Sequence, residues 1–373
     1  MENTIPIAKV ELTDAEIQSV VKVLKSGVLS QGPLTKEFEK AFANKMGAKH
    51  AIAVSSGTAA LHIAYLSVLE EGDEVLVPSF SHISTASMVC FSRCKPVFCD
   101  ISPDTYSINI DDAKKRITNK TKAIAPVHIF GNACDIDGIM DFAKDHSLLS
   151  IWDASQAHGT MYKGKDIGSF DDIVCYSFYA TKNIFTGEGG MITTNNEEVA
   201  NKCRLLRSHW QTSKYLHPGI GLNYRMSEVE AAIGLEQLKK LDQLVQLRRK
   251  NAAYLTSELS EIDGIVLPFV NVNVKHSYHQ YAILLDLKRL SSTRDEFTEA
   301  LKKLGIGTGI HYPRPLHKQP AFESIVGNMS LPVSEDVCNR IISLPVYPQL
   351  NNDDLVRIVK AIRITTSKSL IAS

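Results

Sequence analysis

The stretch Ser177-Phe-Tyr-Ala-Thr-Lys-Asn-Ile-Phe-Thr-Gly-Glu-Gly-Gly190 decides the fold prediction for this chain. It continues an apolar run, 173–178, that is typical of a short buried strand. A loop bearing Lys182 and three glycines follows, and then a second strand-like run, 191–194. Most lysines are solvated surface residues. A lysine between apolar walls and beside a positively charged cofactor instead has a lowered pKa and becomes a usable amine.

A carboxylate stands at the end of another predicted strand. Asp153 directly follows the apolar run 149–152, at the sheet edge where α/β proteins bind ligands. A carboxylate there can keep a pyridine nitrogen protonated, which makes pyridoxal phosphate (PLP) an electron sink. The alternative is an aspartate that caps the following segment.

A third motif, Ser55-Ser-Gly-Thr-Ala-Ala-Leu61, follows the strand-like run 51–54 and opens a helical pattern over 58–69. The first turn of a helix has free backbone N–H groups and a positive dipole end, both of which favour a phosphate. Gly57 allows close approach of the backbone, and Thr58 can add its hydroxyl. Serine, glycine and threonine are also ordinary helix-start residues. The motif therefore supports a phosphate site only in combination with Lys182 and Asp153.

Short apolar runs alternate with helical patterns through the first two thirds of the chain. The other strand-like runs are 74–77 and 122–127, and the other helical patterns are 14–25, 36–46, 111–117 and 138–146. This alternation predicts an α/β fold with a mainly parallel sheet and right-handed crossovers. From Ser227 to about Leu259 the pattern predicts helices that link two domains, with a break near Lys240.

The remainder of the chain predicts a smaller α+β domain. Its elements are a strand over 281–285, a helix over 293–304, a proline-rich loop at 312–320 and a final helix near 352–363. We expect a large domain over 1–245 and a small C-terminal domain over 246–373. The segment 1–30 is expected to pack at a dimer or domain interface.

Composition excludes several classes of protein. The 373 residues contain 41 Lys and Arg against 41 Asp and Glu, so no net charge attracts nucleic acid or a membrane surface. The seven cysteines include no C-x-x-C pair, so neither a disulfide framework nor a metal site is expected. With no signal-like N-terminus and no long apolar run, we expect a cytoplasmic protein.

The whole chain resembles the sugar-nucleotide aminotransferases of the DegT type, a branch of the fold-type-I PLP enzymes. The runs that carry this resemblance are Ser30-Gln-Gly-Pro, Ser56-Gly-Thr-Ala-Ala-Leu, Val77-Pro-Ser-Phe, Asp153-Ala-Ser-Gln-Ala-His-Gly, Ser177-Phe-Tyr-Ala-Thr-Lys-Asn, Thr186-Gly-Glu-Gly-Gly, Gly221-Leu-Asn-Tyr-Arg-Met and Gly309-Ile-His-Tyr-Pro-Arg-Pro-Leu-His. The resemblance implies a large domain with a mainly parallel sheet and a smaller C-terminal domain.

The resemblance also implies roles for individual residues. Lys182 would hold PLP as a Schiff base, Asp153 would pair with the pyridine nitrogen and Gln156 would lie near the ring hydroxyl. The phosphate would be held by Gly57, Thr58 and Ser177. In such families the residue at Asn223 reaches the cofactor of the neighbouring subunit, which implies a homodimer with shared active sites and an inactive monomer.

One position departs from the family pattern. The family usually has Phe, Tyr or Trp, stacked on the cofactor ring, where this chain has His82. An imidazole can stack but has less area and can titrate near neutrality. Either His82 takes this role or Phe80 moves to do so.

The reaction implied by the resemblance has two halves and ping-pong kinetics. L-glutamate would give its amino group and leave as 2-oxoglutarate, with pyridoxamine phosphate as the intermediate form of the cofactor; a keto-sugar nucleotide would then accept the amine. Cationic and polar groups must hold these substrates without a metal. The candidates are Arg225, His311, Tyr312 and Arg314, and His128 either lies near the site or supports a turn.

Three alternatives stay open on the sequence. PLP-dependent sugar dehydratases of the same family replace the lysine with histidine, so Lys182 favours amination. A non-catalytic binding or regulatory protein with this fold would not need Asp153, Gln156 and Lys182, and a cysteine desulfurase would need a mobile cysteine loop that is not evident. The segment Thr308-Gly-Ile-His-Tyr-Pro looks more like relatives that aminate C3 of the sugar than C4.

Overall fold

The computed structural model describes residues 4–170 and 173–370. The strands are β1 (His50–Val54), β2 (Glu74–Pro78), β3 (Lys95–Cys99), β4 (Thr121–Ile124), β5 (Leu149–Asp153), β6 (Met161–Tyr162), β7 (Lys165–Asp166), β8 (Ile173–Ser177), β9 (Gly190–Thr194), β10 (Ile265–Val266), β11 (Val274–Lys275), β12 (Tyr281–Leu285) and β13 (Ile341–Leu344). The helices are α1 (Asp14–Ser26), α2 (Pro33–Met46), α3 (Gly57–Val68), α4 (Ser84–Phe91), α5 (Ile110–Lys114), α6 (Ile136–Asp145), α7 (Glu197–Arg207), α8 (Glu228–Leu259), α9 (Arg294–Lys303), α10 (Glu323–Val326), α11 (Pro332–Arg340) and α12 (Asn352–Ser369).

A seven-stranded sheet forms the centre of the larger part of the molecule. Its strand order is β1-β9-β8-β5-β4-β2-β3. The five strands from β8 to β3 run parallel, while β9 is antiparallel to both of its neighbours. The carboxyl ends of β5 and β8 therefore lie side by side at one edge, with Asp153 as the last residue of β5 and Ser177 as the last residue of β8. The predicted α/β fold is confirmed.

A second, antiparallel sheet of order β10-β12-β13 lies in the C-terminal part of the chain, and a third joins β11, β6 and β7. The second sheet packs against α8, α9 and α12 around a core that includes Tyr281, Ile283 and Ile342. At the N-terminal end of the chain, Ile5 N donates to Gly305 O at 2.9 Å. The segment before α1 is thus tied to the C-terminal part of the chain.

The predicted break near Lys240 is wrong, because α8 is one helix of 32 residues. Its buried positions keep a helical spacing through the predicted break, from Leu238 to Val245, and no proline interrupts it. Val245 packs with the core of the large sheet and Ala252 with the core of the small one. The division at 245/246 stays a prediction. Close to this position, α8 passes from the core of the large sheet to the core of the small one.

Two further boundaries differ from the sequence prediction. The strand predicted over 122–127 ends at Ile124, and Pro126 has no N–H with which to continue the ladder. The final helix extends to Ser369 rather than ending near residue 363. Of the described helices, none is long and apolar enough to cross a membrane.

Glu228 joins the start of α8 to the start of α2. This buried carboxylate accepts hydrogen bonds from the N–H groups of Gly32 at 2.9 Å, Leu34 at 2.8 Å and Thr35 at 2.8 Å, and from the Thr35 hydroxyl at 2.6 Å. Three free N–H groups around the first turn of α2 thereby find an acceptor. Burial raises the pKa of Glu228, but these hydrogen bonds outweigh it and the pKa is lowered from its usual value.

We expect Glu228→Gln to lower the free energy of unfolding at pH 7 by about 2 kcal/mol, because an amide N–H₂ replaces one of the two accepting oxygens. The stabilisation depends on the ionised carboxylate. It should be fully present above the unfolded-state pKa of about 4.3 and be lost as the pH falls through the lower folded-state pKa. Urea unfolding at pH 7 and at acid pH measures both effects. The exposed Glu261→Gln is the control, and equal midpoints for the two variants would contradict the prediction.

Candidate active site

A cavity of about 340 Å³ lies at the carboxyl edge of the large sheet. It brings together nine of the residues singled out from the sequence, namely Gly57, Thr58, His82, Asp153, Gln156, Ser177, Lys182, His311 and Tyr312. They come from segments far apart in the chain: the start of α3, the loop after β2, the ends of β5 and β8, the lysine loop and the loop 311–312. A groove of about 440 Å³ between α1, α2 and α8 contains none of them.

Lys182 lies in the loop that follows β8. Its backbone N–H donates to Tyr179 O at 2.9 Å, which turns the loop back at the sheet edge. Burial lowers the pKa of the Lys182 ammonium to about 8, although the nearby Asp153 carboxylate acts in the opposite direction. At neutral pH more of this side chain is therefore a neutral amine than in a solvated lysine, and the neutral amine is the form that acts as a nucleophile and as a base.

Asp153 is held by one hydrogen bond on each oxygen. Its Oδ2 accepts from Thr85 Oγ1 at 2.8 Å and its Oδ1 accepts from Ser155 N at 3.0 Å. The Thr85 hydroxyl also contacts Ser81 Oγ at 2.8 Å, and the backbone carbonyl of Thr85 accepts a hydrogen bond from Tyr65 OH. This fixes the direction of a carboxylate that is only 4% exposed.

The start of α3 forms a cradle for a phosphate. Ser56 caps the helix by accepting from Ala59 N at 3.0 Å. A Cβ on Gly57 would lie 2.6 Å from Ser177 Cβ, so only glycine allows this contact between α3 and the end of β8. The Thr58 hydroxyl lies 2.8 Å from Ser84 Oγ. The cavity thus has the N–H groups of the first turn of α3, the hydroxyls of Thr58 and Ser177 and the amine of Lys182. This set of donors fits PLP.

His82 and Phe80 differ in their access to the cavity. Phe80 is buried in a cluster with Tyr106, Phe130 and Tyr312 and does not line the cavity. His82 does line it, with Nδ1 at 2.9 Å from Ser84 Oγ. Burial lowers the pKa of His82, against the raising effect of Asp153, so its ring is mainly uncharged at neutral pH. The geometry thus favours His82 as the stacking residue.

Gln156 connects the sheet edge with the loop over the site. Its Nε2 donates to Tyr312 OH at 3.1 Å, and its Oε1 accepts from Phe130 N at 2.7 Å. His311 on the same loop lies with Nδ1 at 3.3 Å from Ser343 Oγ. The loop 311–312 is therefore fixed against both sheets.

Three predicted residues do not line the cavity. Arg314 and Asn223 are exposed, and Arg225 is half-buried outside it. His128 is buried, stacks on Trp152 and accepts from Cys134 N at 3.1 Å. This contact fits the alternative in which His128 supports a turn.

Sequence reasoning missed Thr85, Glu188, His279 and Gln280. The last three line the cavity, and Thr85 holds Asp153 from within α4. Glu188 lies within the quoted glycine stretch, but no spacing marks its carboxylate as facing a site. His279 and Gln280 precede β12 in a segment without a motif, so only the packing of the two sheets reveals them.

The model of the DegT/DnrJ/EryC1/StrS aminotransferase family matches residues 10–363. This chain belongs to that family. Among curated relatives, it is 38% identical to the spore coat polysaccharide biosynthesis protein SpsC of Bacillus subtilis over 93% of both chains. It is also 38% identical to the GDP-perosamine synthase of Caulobacter vibrioides, over 90% of this chain and 91% of that one.

Solved structures of sugar aminotransferases superimpose closely on this family member. Helicobacter pylori PseC, an aminotransferase of pseudoaminic acid biosynthesis, gives a TM-score of 0.93 at 30% identity over 98% of this chain and 100% of that one. DesV of S. venezuelae, in complex with a ketimine intermediate, gives 0.90 at 33% identity over 94% of both chains. Spr1654 of Streptococcus pneumoniae, solved in PLP and PMP forms, gives TM-scores of 0.92 and 0.93 at 27% identity. The DegT-family chain therefore has the fold-type-I architecture and is a PLP-dependent sugar aminotransferase.

Proposed function

We propose that this enzyme moves the amino group of L-glutamate to a keto-sugar nucleotide by a ping-pong mechanism. The observation that carries the proposal is one cavity that joins an amine of lowered pKa, a fixed carboxylate and the N-terminus of α3. The name GDP-perosamine synthase of a relative supports a nucleotide-linked substrate. The likeness of the Thr308–Pro313 loop to relatives that aminate C3 favours C3 over C4.

Different residues of the cavity would bind different parts of the cofactor. The N–H groups at Gly57 with the hydroxyls of Thr58 and Ser177 would hold the cofactor phosphate. Asp153, fixed by Thr85, would pair with the ring nitrogen and keep it protonated. Bound PLP supplies an electron sink, which makes the α-carbon proton of the donor acidic.

Lys182 moves the proton in both half-reactions. Its Nζ would move the proton from the α-carbon of L-glutamate to the cofactor and, in the second half-reaction, a proton from the cofactor to the sugar carbon that receives nitrogen. His82 and Tyr312 cover the cavity beside it, with ring centroids 6.2 Å apart. Lys182 also favours amination over dehydration, since the dehydratases of the family have histidine at this position.

We further propose that the active enzyme is a homodimer in which Asn223 completes the site of the neighbouring subunit. Asn223 is exposed in its own chain, and the segment before it bears exposed apolar side chains, with Tyr215 at 84% and Ile220 at 93%. Large apolar residues exposed together are typical of an interaction surface.

The test is an assay of PLP-loaded enzyme with L-glutamate and a panel of GDP-, UDP- and dTDP-linked keto-sugars. We expect 2-oxoglutarate and an amino sugar in equal amounts, with parallel lines in double-reciprocal plots. NMR of the product identifies the aminated carbon. If 2-oxoglutarate forms but no keto-sugar accepts the amine, the acceptor class is wrong. If the protein takes up no PLP, the binding-protein alternative gains the support instead.

A further inference from the structure

A second cavity, of about 230 Å³, shares Lys182 and Thr181 with the first. Its walls are the segment 8–13 before α1, the middle of α8 and the residues 348–349. This volume is smaller than the about 300 Å³ at which cavities begin to hold drug-sized ligands. It suits a compact ligand such as an amino acid rather than a sugar nucleotide.

The side chains around this second cavity contain buried polar atoms without hydrogen-bond partners. In the part of the chain that the structure describes, these atoms are Asn183 Oδ1, Gln237 Oε1, Arg248 Nε and Gln349 Oε1. The amide nitrogens of Asn183 and Gln237 donate to other groups, which leaves their oxygens as acceptors. Buried polar atoms without partners are rare in native proteins. Arg248 Nε is the one donor among these four atoms, and the Arg248 side chain lines the cavity.

Arg248 is the unusual member of this group. It is only 6% exposed, and within residues 4–170 and 173–370 no ion pair links it to an acidic side chain. Its Nη1 makes only long contacts, with Tyr278 O at 3.3 Å and His279 O at 3.5 Å. Burial lowers the pKa of Arg248 to about 10, but the guanidinium stays charged at neutral pH. A buried cation of this kind is costly unless an anion pairs with it.

We propose that the second cavity binds the amino donor and that Arg248 pairs with its side-chain carboxylate. This inference rests on the proposed function. It assigns to Arg248 the selection of an amino donor that has two carboxylates. The guanidinium can hold a carboxylate with two N–H groups. Because Lys182 lines both cavities, the α-carbon of a donor held here lies toward the amine that takes its proton.

The test measures binding without turnover. Glutarate has two carboxylates but no amino group, so it cannot react. Calorimetry on the PLP-loaded enzyme should show that glutarate binds more tightly than butyrate, which has one carboxylate. In Arg248→Met the Kd for glutarate should rise by about 30-fold or more, and Arg248→Lys should restore part of the affinity. Equal affinities of wild type for glutarate and butyrate, or an unchanged glutarate Kd in Arg248→Met, would overturn the proposal.

Arg249→Met is the matched control. Arg249 is the next residue of α8 and also binds backbone carbonyls, those of His276 and Gly159, but it does not line the cavity. Arg249→Met should leave the glutarate Kd unchanged. This result separates the loss of the carboxylate partner from a general effect on packing. In the ping-pong assay, kcat/KM for L-glutamate should fall in Arg248→Met while kcat/KM for the keto-sugar stays constant. Failure to aminate any sugar would refute the proposed function and leave the glutarate result standing.

Discussion

Lys182→Ala should lower transamination by at least about 10⁴-fold, because in the proposed mechanism it removes both the amine that bears the cofactor and the base that moves the α-proton. The substitution leaves the phosphate cradle at Gly57 and the fixed carboxylate of Asp153 in place. The variant should therefore still bind PLP non-covalently. Formation of 2-oxoglutarate from L-glutamate in a single turnover measures the chemical step, and mass spectrometry after borohydride reduction measures the covalent link.

The control for this prediction is Lys250→Ala, which removes an exposed lysine of α8 and should retain full activity. Lys182→Arg is a second comparison, since it keeps a positive charge but provides no amine that can bear the cofactor. If Lys182→Ala still formed 2-oxoglutarate at the wild-type rate, another lysine would have to bear the cofactor. The assignment of the cavity at the carboxyl edge of the sheet would then be wrong.

The sequence is sufficient to bring candidate residues together where strand ends determine their position. Asp153 and Ser177 end neighbouring parallel strands, so an α/β pattern is enough to place them at one edge. The structure adds Thr85, which holds Asp153 from within α4 and which no pattern marked. The stretch before it, with Ser81 and Ser84, resembles a loop, and α4 has no polar face to show its period.

The second cavity could not be predicted for a different reason. Arg248 and Arg249 stand next to each other in a helix with regular apolar spacing, where both are expected to be solvated surface residues. Only the packing of α8 against the segment 275–279 buries Arg248. Leu238, Leu241 and Val245 pack with the core of the large sheet at a helical spacing, and α8 is continuous across Lys240.

Mixing two inactive variants should restore activity if the sites are shared between subunits. In the proposed dimer, Asn223→Asp would place a carboxylate against the cofactor phosphate of the neighbour. Like charges at such a contact cost several kcal/mol, so this variant alone should lose at least about 100-fold in activity. In a hybrid with Lys182→Ala, the Asn223→Asp subunit keeps its own Lys182 and receives Asn223 from its partner. That one site is complete.

Random reassortment makes half of the dimers hybrids with one complete site of two, so about a quarter of wild-type activity should return. The control is a mixture of Lys182→Ala with Asp153→Asn. Both residues line one cavity of the same chain, so no hybrid of this pair has a complete site and no activity should return. Light scattering after size exclusion verifies the dimers. Recovery in both mixtures would point to wild-type contamination, whereas recovery in neither would mean that each chain completes its own site and that the exposed Asn223 serves another contact.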